Sequence, residues 1–134
     1  GAYVAQQLVQ KLIAMDKYPK KSKVLVMGVT FKENVSDIRN SKVVDVINEM
    51  KKFGLNVDVV DPHASPDEIK AEYGFQLSPT VNPLYDAVIV AVSHDEFSGK
   101  SEKYFKGICK PDAILVDLKG LYRDQIKNLE YWSL

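Results

Sequence analysis

The sequence predicts an α/β fold built on a doubly wound, mainly parallel sheet with helices on both faces. Three observations predict it. Short apolar runs alternate with amphipathic helical stretches along the chain. Ala87–Val92 is apolar at every position, the pattern of a strand covered on both sides. The run Lys23-Val24-Leu25-Val26-Met27 leads straight into Gly28, as a strand does when it opens a dinucleotide-binding unit.

Each element has its own signal. In residues 1–15, Val4, Leu8, Leu12 and Met15 recur at helical spacing, with Ala5, Val9 and Ile13 widening the stripe. No capping residue or initiator Met precedes Tyr3, so this segment reads as the tail of a longer helix whose stripe awaits a partner. In a parent protein a missing half would cover the stripe; in this chain it packs on the domain, pairs with a second copy or frays, and self-association is the expectation. Asp16–Ser22, with Pro19 and its lysines, reads as a polar linker. Val24–Val29 is the first strand. After the loop Thr30–Asn40, a helix from about Ser41 to Phe53 buries Val43, Val44, Val46, Ile47 and Met50 and stops at Gly54. Leu55–Val60 is the second strand, ending at Asp61-Pro62. Ser65-Pro66-Asp67-Glu68 combines a capping box with proline at the first helical position, and Gly74 ends that helix. Ala87–Val92 is the third strand. A helix near Ser101–Ile108 ends before Lys110-Pro111, and Ala113–Val116 is the next strand. A last helix near Asp124–Asn128 and an edge strand Tyr131–Ser133 complete the chain.

At 134 residues the chain fits one domain with a genuine core. Eighteen basic residues balance eighteen acidic ones, so no general field favours nucleic acid or an anionic membrane. Any phosphate must be held by a few placed side chains. The single cysteine, Cys109, excludes an internal disulfide and fits a reducing compartment. No apolar run nears the roughly 20 residues of a membrane span, and no signal peptide is visible. The chain reads as cytoplasmic.

Ligands of such sheets bind beyond the carboxyl ends of the strands. Thr30–Asn40, Asp61-Pro62-His63, Ser93-His94-Asp95 and Asp117–Gly120 converge there. Lys32 and Lys119 bring cations from different strands, and paired cations suit a diphosphate; the alternative is two solvated surface lysines. The helix beginning near Ser41 adds its positive end on the same side. Phe31 either stacks on a base or sugar or plugs the core beneath the loop. Asp37 and Arg39 read as an ion pair that holds the loop's shape and aims Lys32. His94 and His63 read by default as hydrogen-bonded loop organisers rather than catalysts. Cys109 reads as a small buried hydrophobe. Val29, Thr30 and Phe31 follow Gly28 where a Gly-x-Gly-x-x-Gly turn would continue, so an ordinary NAD site is not expected. No metal-ligand spacing, Walker loop or nucleophile elbow is present.

Read as a unit, Gly28-Val-Thr-Phe-Lys-Glu-Asn-Val-Ser-Asp-Ile-Arg-Asn-Ser41 resembles the UDP-glucose/GDP-mannose dehydrogenase family, in its C-terminal UDP-sugar-binding domain. Asp61-Pro62, Val92-Ser-His-Asp-Glu-Phe97 and Asp117-x-Lys119-Gly120 follow in order. The versions at Glu33-Asn34 and Asn40–Asp45 are closer to the UDP-N-acetylhexosamine dehydrogenases. The resemblance implies a Rossmann-like domain over residues 23–134, preceded by residues 1–22 as the end of a central helix and its linker. It implies a parent enzyme that oxidises a sugar C6 alcohol to a uronate with NAD, through a thiohemiacetal on a cysteine, for surface-polysaccharide synthesis. The NAD site and that cysteine belong to an N-terminal domain outside this sequence, so no catalytic residue and no bound cofactor or metal is expected here. Phe31, Lys32 and Lys119 carry over as substrate-binding positions; relatives often have arginine at the last. The implied partners are the UDP-sugar, the N-terminal domain and a second copy joined through the central helix, with no nucleic acid or membrane. The alternative is a stand-alone flavodoxin-like nucleotide-binding or receiver module. A receiver needs acids at the end of its first strand to hold a metal ion, and here none occurs before Glu33.

Overall fold

The computed structural model describes residues 2–134 as one five-stranded parallel sheet with helices on both faces. The strands are β1 (Lys23–Met27), β2 (Asn56–Val60), β3 (Tyr85–Val90), β4 (Cys109–Asp117) and β5 (Glu130–Ser133). Their spatial order is β2-β1-β3-β4-β5, every neighbouring pair parallel. The helices are α1 (Ala2–Ala14), α2 (Lys42–Lys52), α3 (Pro66–Tyr73), α4 (Asp95–Ser98) and α5 (Glu102–Ile108), with a short 3-10 turn at Pro19–Lys21. Among these, no helix is long and apolar enough to cross a membrane.

Alternation along β1 sorts the core into two layers. Val24 and Val26 face α1, α2 and α3 with Ala87, Ile89, Ile114 and Val116. Leu25 and Met27 face α4 and α5 with Val88, Val90, Leu115, Phe97 and Phe105. All six residues of β3 are buried, as a central parallel strand requires. Ser65 Oγ accepts the Glu68 N–H at 3.3 Å, so the capping box forms, and Gly74 closes α3 at φ 83°.

Three sequence expectations need correction. Of the outcomes open to the first helix the structure shows packing on the domain, which removes the exposed stripe on which self-association was expected: Val4, Ala5, Leu8, Val9 and Leu12 are buried in the same layer as α2. Leu8 and Leu12 are fully covered, which stabilises the packing by roughly 1.5–3 kcal/mol each. The helical pattern identified the buried face but not its partner. What α1 leaves outward are Tyr3, 59% exposed, and Ile13, 57% exposed.

The second correction concerns β4, which begins at Cys109 rather than Ala113. A register irregularity between Tyr85 and Ala87 accommodates Pro111, which has no N–H to give the ladder. The third is the helix expected near Asp124–Asn128, which is a series of turns. A carboxylate takes the backbone donors that a helix would have used. Glu102 accepts the N–H groups of Lys127, Asn128 and Leu129, and those bonds hold its carboxyl below the usual glutamate range. Just before that segment, Asp117 accepts the N–H groups of Leu121 and Tyr122.

Candidate functional site

Gly28 ends β1 at φ 97°, and a Cβ there would stand 2.6 Å from Val92 Cβ and 3.0 Å from Val92 N. Only glycine fits both the left-handed backbone and that approach. The chain therefore leaves β1 pressed against the residue that follows β3. The loop Thr30–Asn40 folds back on itself, with the Phe31 N–H donating to the Asp37 carbonyl at 2.7 Å.

Beyond β1 and β3, where the strand order reverses, lies a cleft of about 280 Å³. Its walls are Thr30, Phe31, Lys32 and Glu33 from the loop, Asn40, Lys42 and Val43 at the start of α2, Ala91 and Val92 after β3, and Lys119 after β4. Phe31, Lys32 and Lys119 thus meet at one opening although 88 positions separate Phe31 from Lys119 (119 − 31). Phe31 is 53% exposed, so it does not plug the core.

Lys42 is a third cation at this cleft, and the sequence reading missed it. A signal was present: a lysine at the first position of a helix opposes the helix dipole and is disfavoured there. Among the described residues, none of Lys32, Lys42 and Lys119 has an ion-pair partner within 4.0 Å. Beside them, the buried Ser41 Oγ at the head of α2 has no hydrogen-bond partner among the described residues.

Asp37 and Arg39 do form a forked pair, with Arg39 Nε on Asp37 Oδ1 at 3.0 Å and Nη2 on Oδ2 at 3.0 Å. The guanidinium, with the Arg39 N–H, lowers the Asp37 carboxyl to about 2. The pair lies outside the cleft, and Arg39 faces α3 beside Glu68 and Glu72.

Two buried acids hold the rim. Asp61 Oδ2 accepts the N–H groups of Val29 at 2.7 Å and Thr30 at 3.2 Å, and Oδ1 accepts those of His63 and Ala64. Asp117 accepts Leu121 N–H at 2.9 Å, Tyr122 N–H at 2.7 Å and the Tyr131 hydroxyl at 2.6 Å. Burial and this carboxylate push the Tyr131 phenol up to about 12. The turn so fixed carries Lys119, and Gly120 completes it at φ 70°. His94 is fully buried against Asp61, an organiser rather than an exposed acid or base. His63 instead pairs with Glu96 at 2.8 Å.

The same geometry does not fit a dinucleotide after β1. Val92 closes the approach to Gly28, and Val29, Thr30 and Phe31 stand where bare backbone would meet a pyrophosphate. Cys109 is buried at the far end of the sheet, and burial, with the nearby Asp86 charge, pushes its thiol up to about 12. A buried thiol with a raised pKa lacks the exposed thiolate that nucleophilic chemistry uses.

Residues 25–124 match the model of the UDP-glucose/GDP-mannose dehydrogenase family, UDP binding domain. The chain belongs to this family. It is 38% identical over 132 residues to the UDP-N-acetyl-D-glucosamine 6-dehydrogenase of Pseudomonas aeruginosa, covering 96% of this chain and 31% of that protein. To Protein CapL of Staphylococcus aureus it is 34% identical over 135 residues, covering 98% and 32%. A solved NDP-N-acetyl-D-galactosaminuronic acid dehydrogenase from Methanosarcina mazei Go1 superposes with a TM-score of 0.83 at 22% identity, over 98% of this chain and 28% of that one. At that identity the likeness shows the Rossmann-like fold. The chain spans about a third of the length of the curated relatives it matches. Family membership sets aside the receiver alternative, which strand order alone does not, because flavodoxin-type sheets share the 2-1-3-4-5 order.

Proposed function

We propose that this chain is the part of an NAD-dependent UDP-sugar 6-dehydrogenase that holds the nucleotide of its substrate. The observation that carries the reading is the cleft at the switch point, where Lys32, Lys42 and Lys119 stand unpaired beside the start of α2. A cluster of like charges at the positive end of a helix is unfavourable until an anion arrives. A diphosphate, with charge spread over several oxygens, answers that need. Phe31, exposed on the same wall, offers a face for the uracil or ribose. Asp37 and Arg39 keep the loop in the shape that presents both.

In this reading, residues 1–22 are the end of the helix and linker joining two halves, and residues 23–134 are the nucleotide-sugar domain. NAD and the catalytic cysteine belong to the N-terminal half, since neither the turn after β1 nor Cys109 suits those roles. The parent works in the cytoplasm as a homodimer through its central helix and supplies uronates for surface polysaccharide. Its sugar is a UDP-N-acetylhexosamine, the class named in the relative from Pseudomonas aeruginosa.

Calorimetry with UDP and NAD on this chain tests the assignment. UDP is expected to bind and NAD not to. Lys32→Ala removes a charge-assisted contact of roughly 1.5–3 kcal/mol, so UDP should weaken about 10- to 100-fold. With any UDP-sugar and NAD the chain alone should form no NADH. Tight NAD binding, or Lys32→Ala with unaltered UDP affinity, contradicts the proposal.

A further inference from the structure

Beneath the cleft lies a polar cluster to which the ligand reading gives no task. His94 is fully buried immediately before α4, and its ring joins three segments of chain. Nδ1 accepts the Asn34 N–H at 2.9 Å, which places the ring proton on Nε2. That Nε2–H is shared between Asp61 Oδ2 at 3.0 Å and Thr30 Oγ1 at 3.2 Å. Thr30 Oγ1 in turn donates to the Lys32 carbonyl at 2.9 Å. Asn34 sits in the left-handed region at φ 60°, and its Oδ1 accepts the Asp95 N–H at 2.9 Å. The ring itself is held by packing, tilted 37° against His63 at 4.4 Å and edge-on to Phe97 at 5.5 Å.

One imidazole therefore ties both ends of the stretch Thr30–Asn34 to the ends of β2 and β3. Phe31, Lys32 and Glu33 lie between the two ties, and all three line the cleft. We propose that His94 is a positioning residue: a buried latch whose bond to the Asn34 N–H sets where Phe31 and Lys32 stand over the head of α2. The inference rests on the nucleotide-binding reading for its effect on affinity. It does not need that reading for the latch itself.

Three substitutions separate the latch from simple core filling. His94→Asn places an oxygen two bonds from Cβ, where Nδ1 was, and keeps an acceptor for Asn34 while losing the reach to Asp61. His94→Gln places its amide nitrogen three bonds from Cβ, where Nε2 was, and keeps the donor to Asp61 while losing the acceptor. His94→Leu fills space and makes neither bond. If the latch operates, His94→Gln and His94→Leu weaken UDP about tenfold, and His94→Asn recovers to within about threefold of the unaltered chain. Packing alone predicts the reverse order, because Asn fills the site least.

Lys32→Ala, measured alongside, separates the two claims. If it leaves UDP affinity unchanged, the nucleotide reading fails. If it weakens UDP while all three His94 variants bind normally, the latch fails and the nucleotide reading stands. If affinity across the variants follows melting temperature rather than the Asn34 bond, the latch fails as well. A readout on the unaltered chain covers variants that do not fold. Nitrogen NMR of the His94 ring should show a bare, accepting Nδ1 and a protonated Nε2, with the Asn34 amide protected from hydrogen exchange. A ring proton on Nδ1, or a freely exchanging Asn34 amide, overturns the latch.

Discussion

The two ends of the sheet treat their lysines in opposite ways. At the amino end, Asp86 is buried on β3 and its carboxylate is saturated. Lys17 Nζ reaches it at 2.7 Å, the Lys23 N–H at 2.8 Å and Lys110 Nζ at 3.2 Å, while Lys17 also bonds Asp112 at 2.9 Å. At the carboxyl end, Lys32, Lys42 and Lys119 surround an open cleft and, among the described residues, have no acid in bonding range. Paired charges at the first end fasten the segment after α1 to β3 and β4. Unpaired charges at the second end cost the free protein some repulsion and become favourable when an anion binds. The contrast teaches that cations mark a site in this fold only where the fold leaves them without partners.

The largest expected effect comes from closing the carboxyl end at its base. Gly28→Ala adds a Cβ against Val92 and strains a left-handed backbone, costing about 2–5 kcal/mol from overpacking and strain together. Thermal unfolding should show a drop in melting temperature, and UDP affinity should fall with it as the loop is displaced. A fully stable Gly28→Ala variant would mean the loop tolerates a different exit from β1.

Next comes the amino end. Asp86→Asn removes charge-assisted bonds and should cost about 1.5–3 kcal/mol of stability while leaving UDP affinity unchanged. Burial raises the Asp86 carboxyl, but Lys17, the Lys23 N–H and Lys110 outweigh it and leave it lowered from 3.8. A carboxyl lowered by folding contributes stability above its unfolded value, and that contribution is lost as pH falls through the folded value. The stability gap between Asp86→Asn and the unaltered chain should therefore persist at neutral pH and shrink below about pH 4. Urea unfolding across pH measures it. A gap that widens in acid would break the assignment of this end to stability.

A smaller effect is expected at the far wall of the cleft. Lys119→Ala should weaken UDP about tenfold or less, because lysine makes a point contact where arginine makes a forked one. Lys119→Arg should therefore bind UDP at least as tightly as the unaltered chain. Smallest of all is Lys51→Ala. Lys51 lies about 14 Å along α2 from Lys42, with its ammonium over the Phe75 ring at 4.9 Å. Its loss should leave UDP affinity unchanged.

Local pattern carried much of this to the sequence reader. Period and turn residues showed the strands, the Ser65 capping box and the place of Gly28 at the end of the first strand, while its close approach to Val92 came only with the structure. The strand-end rule then placed Phe31, Lys32 and Lys119 at one opening. What stayed hidden was set by contacts far apart in the chain. Asp86 meets Lys17 across 69 positions and His94 meets Asn34 across 60, and neither pair leaves a local mark. The turns at Asp124–Asn128 were misread because Glu102, 26 positions from Asn128, satisfies backbone donors there. The α1 stripe left its partner open, with self-association preferred over packing on the domain: amphipathicity says which face is buried, and only tertiary structure says by what.

The most direct test of the central claim is one pair of UDP titrations with melting curves beside them, on Lys32→Ala and Asp86→Asn. The account predicts a double dissociation. Lys32→Ala should lose about 10- to 100-fold in UDP affinity with an unchanged melting temperature, and Asp86→Asn should melt lower while binding UDP normally. If both variants lose affinity in proportion to stability, or if Lys32→Ala binds UDP as the unaltered chain does, the two ends do not differ as described and the cleft is not the nucleotide site.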